Sequence, residues 1–507
     1  MRKMTNVFRT VACLGTVGAL VLTGAGNALA DTVPYDTYNY DYREDIVYTP
    51  AAYVPDGSVN AVSLTYQGSS IGAFRLPEDL CVSDDDKVYV CDTGNNRIVV
   101  LNLEMDSVLE IIDSYEEDGE TVTFNSPTGL ALSDKNQLYI ADKGNSRVVV
   151  LDSAENGREF LKKIEDPESE LFPANFSFVP KKVSVDYADR VYVIAQGKTE
   201  GIMAFDTDGE FTSYFGTIGV DVSAWQKFWR RIATKEEREQ QEHYIATEYT
   251  GADIDDEGFV YATFIDDMGV QAIQRLNPKG QDVIVMGENR NLGGDLMISG
   301  TTDYSGISVF QDIVYRGKGI YSVIDSKRGR VFTYDDEGNL LYIFGGLGTQ
   351  AGTFYTPVAI EAIGDKILVL DKAREEIQVF RETEYGNLIN EAVSLRFDGD
   401  ETQAVEKWKE VLRLDENFEL AAVGIGKAYL TDGNNAEAMK YLKLGNSRKY
   451  YSIAFKRYRN EFLKKNLGTI LTVAAVLAVA LFAVVKVFGK KRKRSASSAE
   501  QAFGKEG

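Results

Sequence analysis

The chain has 507 residues, 44% of them apolar, enough for two or three globular domains. Its net charge of −22 excludes a general nucleic-acid binder. His243 is the only histidine, which excludes most Ser-His-Asp and Cys-His catalysis and any multi-histidine metal site.

Residues 1–30 open with Arg2, Lys3 and Arg9, run through an apolar stretch and end on Ala28-Leu29-Ala30. That is the pattern of a secretory signal peptide cleaved before Asp31. Residues 31–55 are rich in tyrosine (Tyr35, Tyr38, Tyr40, Tyr42, Tyr48, Tyr53) and are expected to form an extended arm laid against the next domain. A strip contacting sugar or wall is the alternative. After cleavage Cys81 and Cys91 remain, flanking a turn over 83–87. Symmetric closure of that hairpin would set them opposite each other, with Cα atoms ~4.5 Å apart. A cross-strand disulfide and two buried thiols both stay open.

The loop Asp92-Thr-Gly94-Asn95-Asn-Arg97 returns as Asp142-Lys-Gly144-Asn145-Ser-Arg147. A Tyr-containing apolar run precedes each copy and a β-branched run follows, with Tyr89 and Tyr139 50 residues apart. Repeats of this length with strand, turn, strand grammar predict a β-propeller. Six segments share the outline, carried by Val88-Tyr-Val90, Leu138-Tyr-Ile140, Val191-Tyr-Val193, Val260-Tyr261, Ile320-Tyr-Ser-Val323 and Ile367-Leu-Val369. Segment six lacks an outer strand after Phe380, and residues 56–68 are expected to supply it and close the ring. In segments three and four Ala195 and Phe264 stand where the loop Asp should be; segment five has Asp325 and Arg330. The pattern over 56–382 resembles the NHL-repeat family of six-bladed propellers, of the bacterial membrane-anchored type. The Asp and Arg of the loop are expected to fasten a tight turn, with Gly at a positive φ.

Loops between the second and third strands of a blade share a face with the blade-to-blade loops. Two of the latter are long. The insert 217–248 carries Trp225, Phe228, Trp229 and Ile232 at helical spacing, with Arg230, Arg231 and His243. The second insert, 288–306, holds Arg290 and Asp295; Asp266 and Asp267 stand in segment four's loop. These residues are the ligand-face candidates, because long loops on a rigid scaffold are where binding is built.

Residues 384–446 are expected to be helical. Gly399 and Gly433, and Ala404 and Ala438, are 34 apart, which resembles two tetratricopeptide-like helix pairs. Residues 447–466 continue as a membrane-proximal helix. The stretch 467–485 has no charge and would span roughly 28 Å, so 467–488 is assigned as a transmembrane helix. A basic tail, 489–507, begins with Lys490-Lys-Arg-Lys-Arg494. The signal peptide sets the orientation: residues 31–466 outside and the tail in the cytoplasm.

The expected protein is therefore mainly β, a six-bladed propeller followed by a small all-α domain and one transmembrane helix in the cell membrane. It is expected to be a non-enzymatic binding or scaffold protein with no required cofactor. Its expected partners are an envelope or membrane protein, with a glycan or peptide as ligand and no nucleic acid. The resemblance implies service to a sugar-uptake or envelope assembly. The alternative is a calcium-dependent hydrolase, lactonase or lyase, since calcium needs only oxygen ligands.

Overall fold

The computed structural model describes residues 33–503 except 166, 173–175, 199, 217–247, 267–268, 288–291 and 297–305. The signal-peptide reading and Trp225, Phe228, Trp229, Arg230, Arg231, His243, Asp267 and Arg290 lie outside the described residues.

Six sheets form the blades of a propeller. Blade 1 comprises Asp79–Val82, Val88–Asp92, Arg97–Leu101 and Val108–Ile112, paired antiparallel in that order. Blades 2, 3 and 5 repeat this four-strand meander from Pro127, Pro180 and Phe310. Blade 6 takes three strands from Pro357–Ile363, Lys366–Asp371 and Glu376–Glu382, and its fourth from the N-terminal side. That closing strand is Tyr53–Asn60, with Tyr53 opposite Glu382 and Asn60 opposite Glu376. Closure thus starts earlier than residue 56, and Asp56-Gly57 lies at a bulge inside the strand. Residues 65–70 instead make a small separate hairpin.

Among the described residues blade 4 has three strands, Tyr249–Ile254, Val260–Phe264 and Ile273–Leu276, against four in each other blade. Asp282 explains the difference. Its carboxylate accepts hydrogen bonds from the Ile284 and Arg275 N–H groups and from Gln271, competing with a regular ladder. Ile284 and Met286 pack toward blade 5 instead.

Alternation along each strand sends apolar side chains to both faces of every blade, since each is sandwiched by its neighbours. Leu80, Val88, Val90, Val99 and Leu101 pack against blade 6, while Tyr89, Ile98 and Val100 pack against blade 2. Each such fully buried aliphatic side chain contributes about 1.5–3 kcal/mol through lost contact with water.

The Tyr-rich segment lies on blade 5. Tyr38–Tyr40 pairs with Ile46–Tyr48, and the Asn39 amide donates to the carbonyls of Leu340 and Leu341.

After the ring the chain becomes helical: α1 Glu384–Phe397, α2 Glu401–Leu414, α3 Glu419–Thr431, α4 Asn435–Leu444 and α5 Arg448–Phe503. The 34-residue offset has a structural counterpart. Gly399 and Gly433 take positive φ after α1 and α3, and Asp400 and Asn434 cap α2 and α4. Ala404 and Ala438 are both buried. The apolar stretch of α5 is exposed throughout, and α5 is the one helix among the described residues long and apolar enough to cross a membrane.

Candidate functional site: the propeller axis

The six innermost strands surround a cavity of about 680 Å³. It opens among the turns that join first to second strands, with Asp84, Asp134, Tyr187 and Asp256 at its mouth. This is the face opposite the one expected to bind ligand. Ten carboxylates line it, and Lys182 is the one cation among the described lining residues.

The deep end is built by an alternation around the ring. Register against the second strands places Asp79, Gly129, Lys182, Gly251, Asp312 and Ala359 at equivalent positions of blades 1 to 6. Charged side chains come from blades 1, 3 and 5 and meet at the axis. The small residues of the other blades make room: a Cβ on Gly251 would stand 2.5 Å from Asp312 Oδ1, and one on Gly129 2.7 Å from the Lys181 carbonyl. Lys182 Nζ bonds Asp79 Oδ1 and lies 3.1 Å from Asp312 Oδ2. Each carboxylate also accepts from the next blade: Leu130 N–H to Asp79 at 2.8 Å, and Ile360 N–H to Asp312 at 3.1 Å. The axis is therefore a strut across three blades, tied to two more.

Burial pushes Asp79 up to about 6, against the lowering pull of Lys182 and with the help of Asp312. Asp312 is raised by burial as well. Burial works against the Lys182 ammonium, but Asp312 and Asp79 together hold it above its ordinary value. Two further carboxylates sit one step toward the mouth. Asp253, pushed up to about 6 by burial, accepts from Tyr315 N–H at 2.7 Å. Glu361 is raised well above the usual range by burial and by Asp253, Asp312 and Asp79.

These residues do not fit a calcium ion. The carboxylates nearest the axis already share an ammonium, and a divalent cation there would face Lys182. Among the described residues no group of three or more carboxylate, thiol or imidazole side chains is arranged to hold a metal.

The loop motif has a fastening geometry. Asp92 accepts from Arg75 N–H (2.7 Å), Asn95 (2.9 Å) and the Arg97 guanidinium (2.7 Å); Asp142 accepts from Asn125 N–H, Asn145 and Arg147 in the same way. The positive φ falls on Asn96 (57°) and Ser146 (58°), two residues after the glycines. Gly94 and Gly144 answer close approach: a Cβ would meet the carbonyl of Arg75 at 2.7 Å or Asn125 at 2.4 Å. In blade 5 Asp325 pairs with Arg328, because Arg330 is drawn to Asp295 at 2.7 Å.

Two ligand-face candidates have structural duties instead. Asp295 is 4% exposed and is held by Arg328, Arg330, Tyr38 and Tyr40. Asp266 turns its own loop by accepting from the Val270 and Gln271 N–H groups. Cys81 and Cys91 are buried free thiols. Cys81 faces Tyr89 and Cys91 faces Asp79, so the hairpin register makes the pair diagonal neighbours, with the ~7–8 Å spacing that a disulfide cannot bridge.

Closed ring, blade meander and fastened loops define a six-bladed β-propeller, and its first two blades carry NHL repeats. The family profile described as NHL repeat matches residues 74–101 and 124–151, which are the first two blades' inner strands with their loops. No curated protein matches the sequence. Among solved structures, virginiamycin B lyase from Staphylococcus aureus is 11% identical, with 61% of this chain and 95% of that one covered and a TM-score of 0.36. A protein of unknown function from Bacteroides thetaiotaomicron is 13% identical, with 64% and 73% covered and a TM-score of 0.40. BamB from Moraxella catarrhalis is 10% identical, with 65% and 99% covered and a TM-score of 0.33. No activity follows from likenesses at this level.

Proposed function

We propose that this protein is a membrane-anchored, extracytoplasmic binding or scaffold protein that presents its propeller to an envelope or membrane partner. Glycan and peptide are the ligand classes. Helices α1–α4 serve as a tetratricopeptide-like spacer, and the basic tail lies in the cytoplasm.

The observation that carries this reading is the state of the axis. Lys182, Asp79 and Asp312 are committed to one another and to neighbouring backbone N–H groups. Such a network supports a rigid display platform, with Lys182, Asp79 and Asp312 engaged in holding the blades together. The calcium-dependent hydrolase alternative loses support from the same strut.

The test is capture of partners from native membranes with the full chain. Two variants are compared: deletion of 217–248, and Asp84→Asn with Asp134→Asn and Asp256→Asn at the cavity mouth. Loss of a partner with either variant identifies the binding face. Identical partners with both would refute the reading, and stoichiometric calcium in the purified chain would restore the alternative.

A further inference from the structure

The chain is acidic, yet the segment leading into the apolar stretch is not. Residues 448–466 hold seven Lys or Arg against the single acid Glu461, in a protein of net charge −22. One face of this part of α5 is taken: Ala454 is fully buried, Arg457 donates to the Leu430 carbonyl at 3.0 Å, and Asn435 donates to Glu461 at 2.7 Å. The rest of the segment's circumference is open. Phe455, Tyr458, Phe462 and Leu463 are 45, 41, 52 and 42% exposed, and Arg459 lies in the same stripe. The helix continues unbroken into the exposed apolar residues from Leu467.

We propose that this basic, aromatic segment is a docking surface for anionic lipid headgroups, at the leaflet on the N-terminal side of the span. At 1.5 Å per residue, Lys464 and Lys465 stand within about 5 Å of the first apolar residue, inside a headgroup zone roughly 5–7 Å deep. Phe462, about 7–8 Å from that residue, belongs to the aromatic level of the interface, and Arg459 remains within roughly a Debye length of the lipid phosphates. The occupant is set by charge: a basic, aromatic helical segment continuous with a span meets an anionic bilayer surface.

The proposal rests on α5 spanning a bilayer, which incorporation of the full chain into nanodiscs tests separately. The test uses nanodiscs of phosphatidylcholine and phosphatidylglycerol, with residues 490–494 neutralised to glutamine so that the tail does not contribute. Selection of spin-labelled phosphatidylglycerol over phosphatidylcholine is then measured. The chain with Lys464 and Lys465 intact should select the anionic lipid severalfold. Lys464→Gln with Lys465→Gln should abolish most of that preference, each near-surface lysine contributing up to about fivefold, with helix content unchanged. Selection that is absent, or unaltered by the two substitutions, overturns the proposal. So does binding of a soluble polyanion without lipid selection.

Discussion

Replacing Lys182 with methionine keeps the length and most of the volume of the side chain and removes its ammonium. The axis then holds Asp79 at 3% and Asp312 at 6% exposure with no cation between them. At an effective dielectric of about 20, the lost attraction across 3.1 Å is on the order of 5 kcal/mol. The carboxylates recover part of this by taking up protons, so the net cost at neutral pH should be about 3–5 kcal/mol, the range for orphaning a buried charge. The cost should shrink as pH falls, because protonated Asp79 and Asp312 no longer need the ammonium. The assay is urea unfolding of the full chain in detergent, followed by circular dichroism at pH 5 and pH 8. A triple variant, Lys182→Met with Asp79→Asn and Asp312→Asn, should regain most of the loss, since no charge is left unpaired and both acceptors survive. Stability of Lys182→Met within about 1 kcal/mol of the parent at pH 8, or a triple variant no better than the single one, would refute the strut.

Asp253 is raised to about 6 in the folded protein, above its unfolded value of about 3.9, so folding takes up protons between these pH values. Its contribution is therefore full below pH 4 and lost as pH rises through 6; Asp253→Asn should flatten that fall in an unfolding series across pH 4–8. Gly144→Ala should cost about 1–3 kcal/mol, because the new Cβ would stand 2.4 Å from the Asn125 carbonyl. Ser146→Gly, two residues away, should stabilise by up to about 1 kcal/mol by relieving a left-handed φ of 58°; thermal melts should show the opposite signs. The thiols of Cys81 and Cys91 are both raised by burial and should resist alkylation in the folded chain while reacting fully in urea; mass spectrometry should find no disulfide between them.

The ring was legible because its determinants are local. A strand, a turn and an Asp-x-Gly-Asn-x-Arg loop fall within some twenty residues, and the loop repeats at a fixed spacing. Position along the loop was harder. Gly94 and Gly144 suggested a positive φ, yet the left-handed residues are Asn96 and Ser146, because what the glycines answer is a carbonyl arriving from the preceding blade connection. The closing strand was expected about three residues too late, since Asp56-Gly57 has turn composition and becomes a bulge only once Tyr53 finds Glu382 at the far end of the ring.

The axial site was missed for a related reason. Lys182 meets Asp79 and Asp312 across 103 and 130 residues of sequence, and no short motif links them. A signal was nonetheless present. Counting back thirteen residues from the loop's Asp position in the first five blades gives Asp79, Gly129, Lys182, Gly251 and Asp312, an alternation of charged and small. A channel wall has no reason to alternate in this way unless alternate blades must yield space to the others. Blade 3 makes the point most sharply. It has lost the loop Asp, with Ala195 in its place, so by its loop it looks degraded. Its inner strand nevertheless supplies the only cation among the described lining residues. The loop motif reports how a blade is fastened at its rim, whereas the residue thirteen places earlier reports what it brings to the axis. The two vary independently because they face different neighbours.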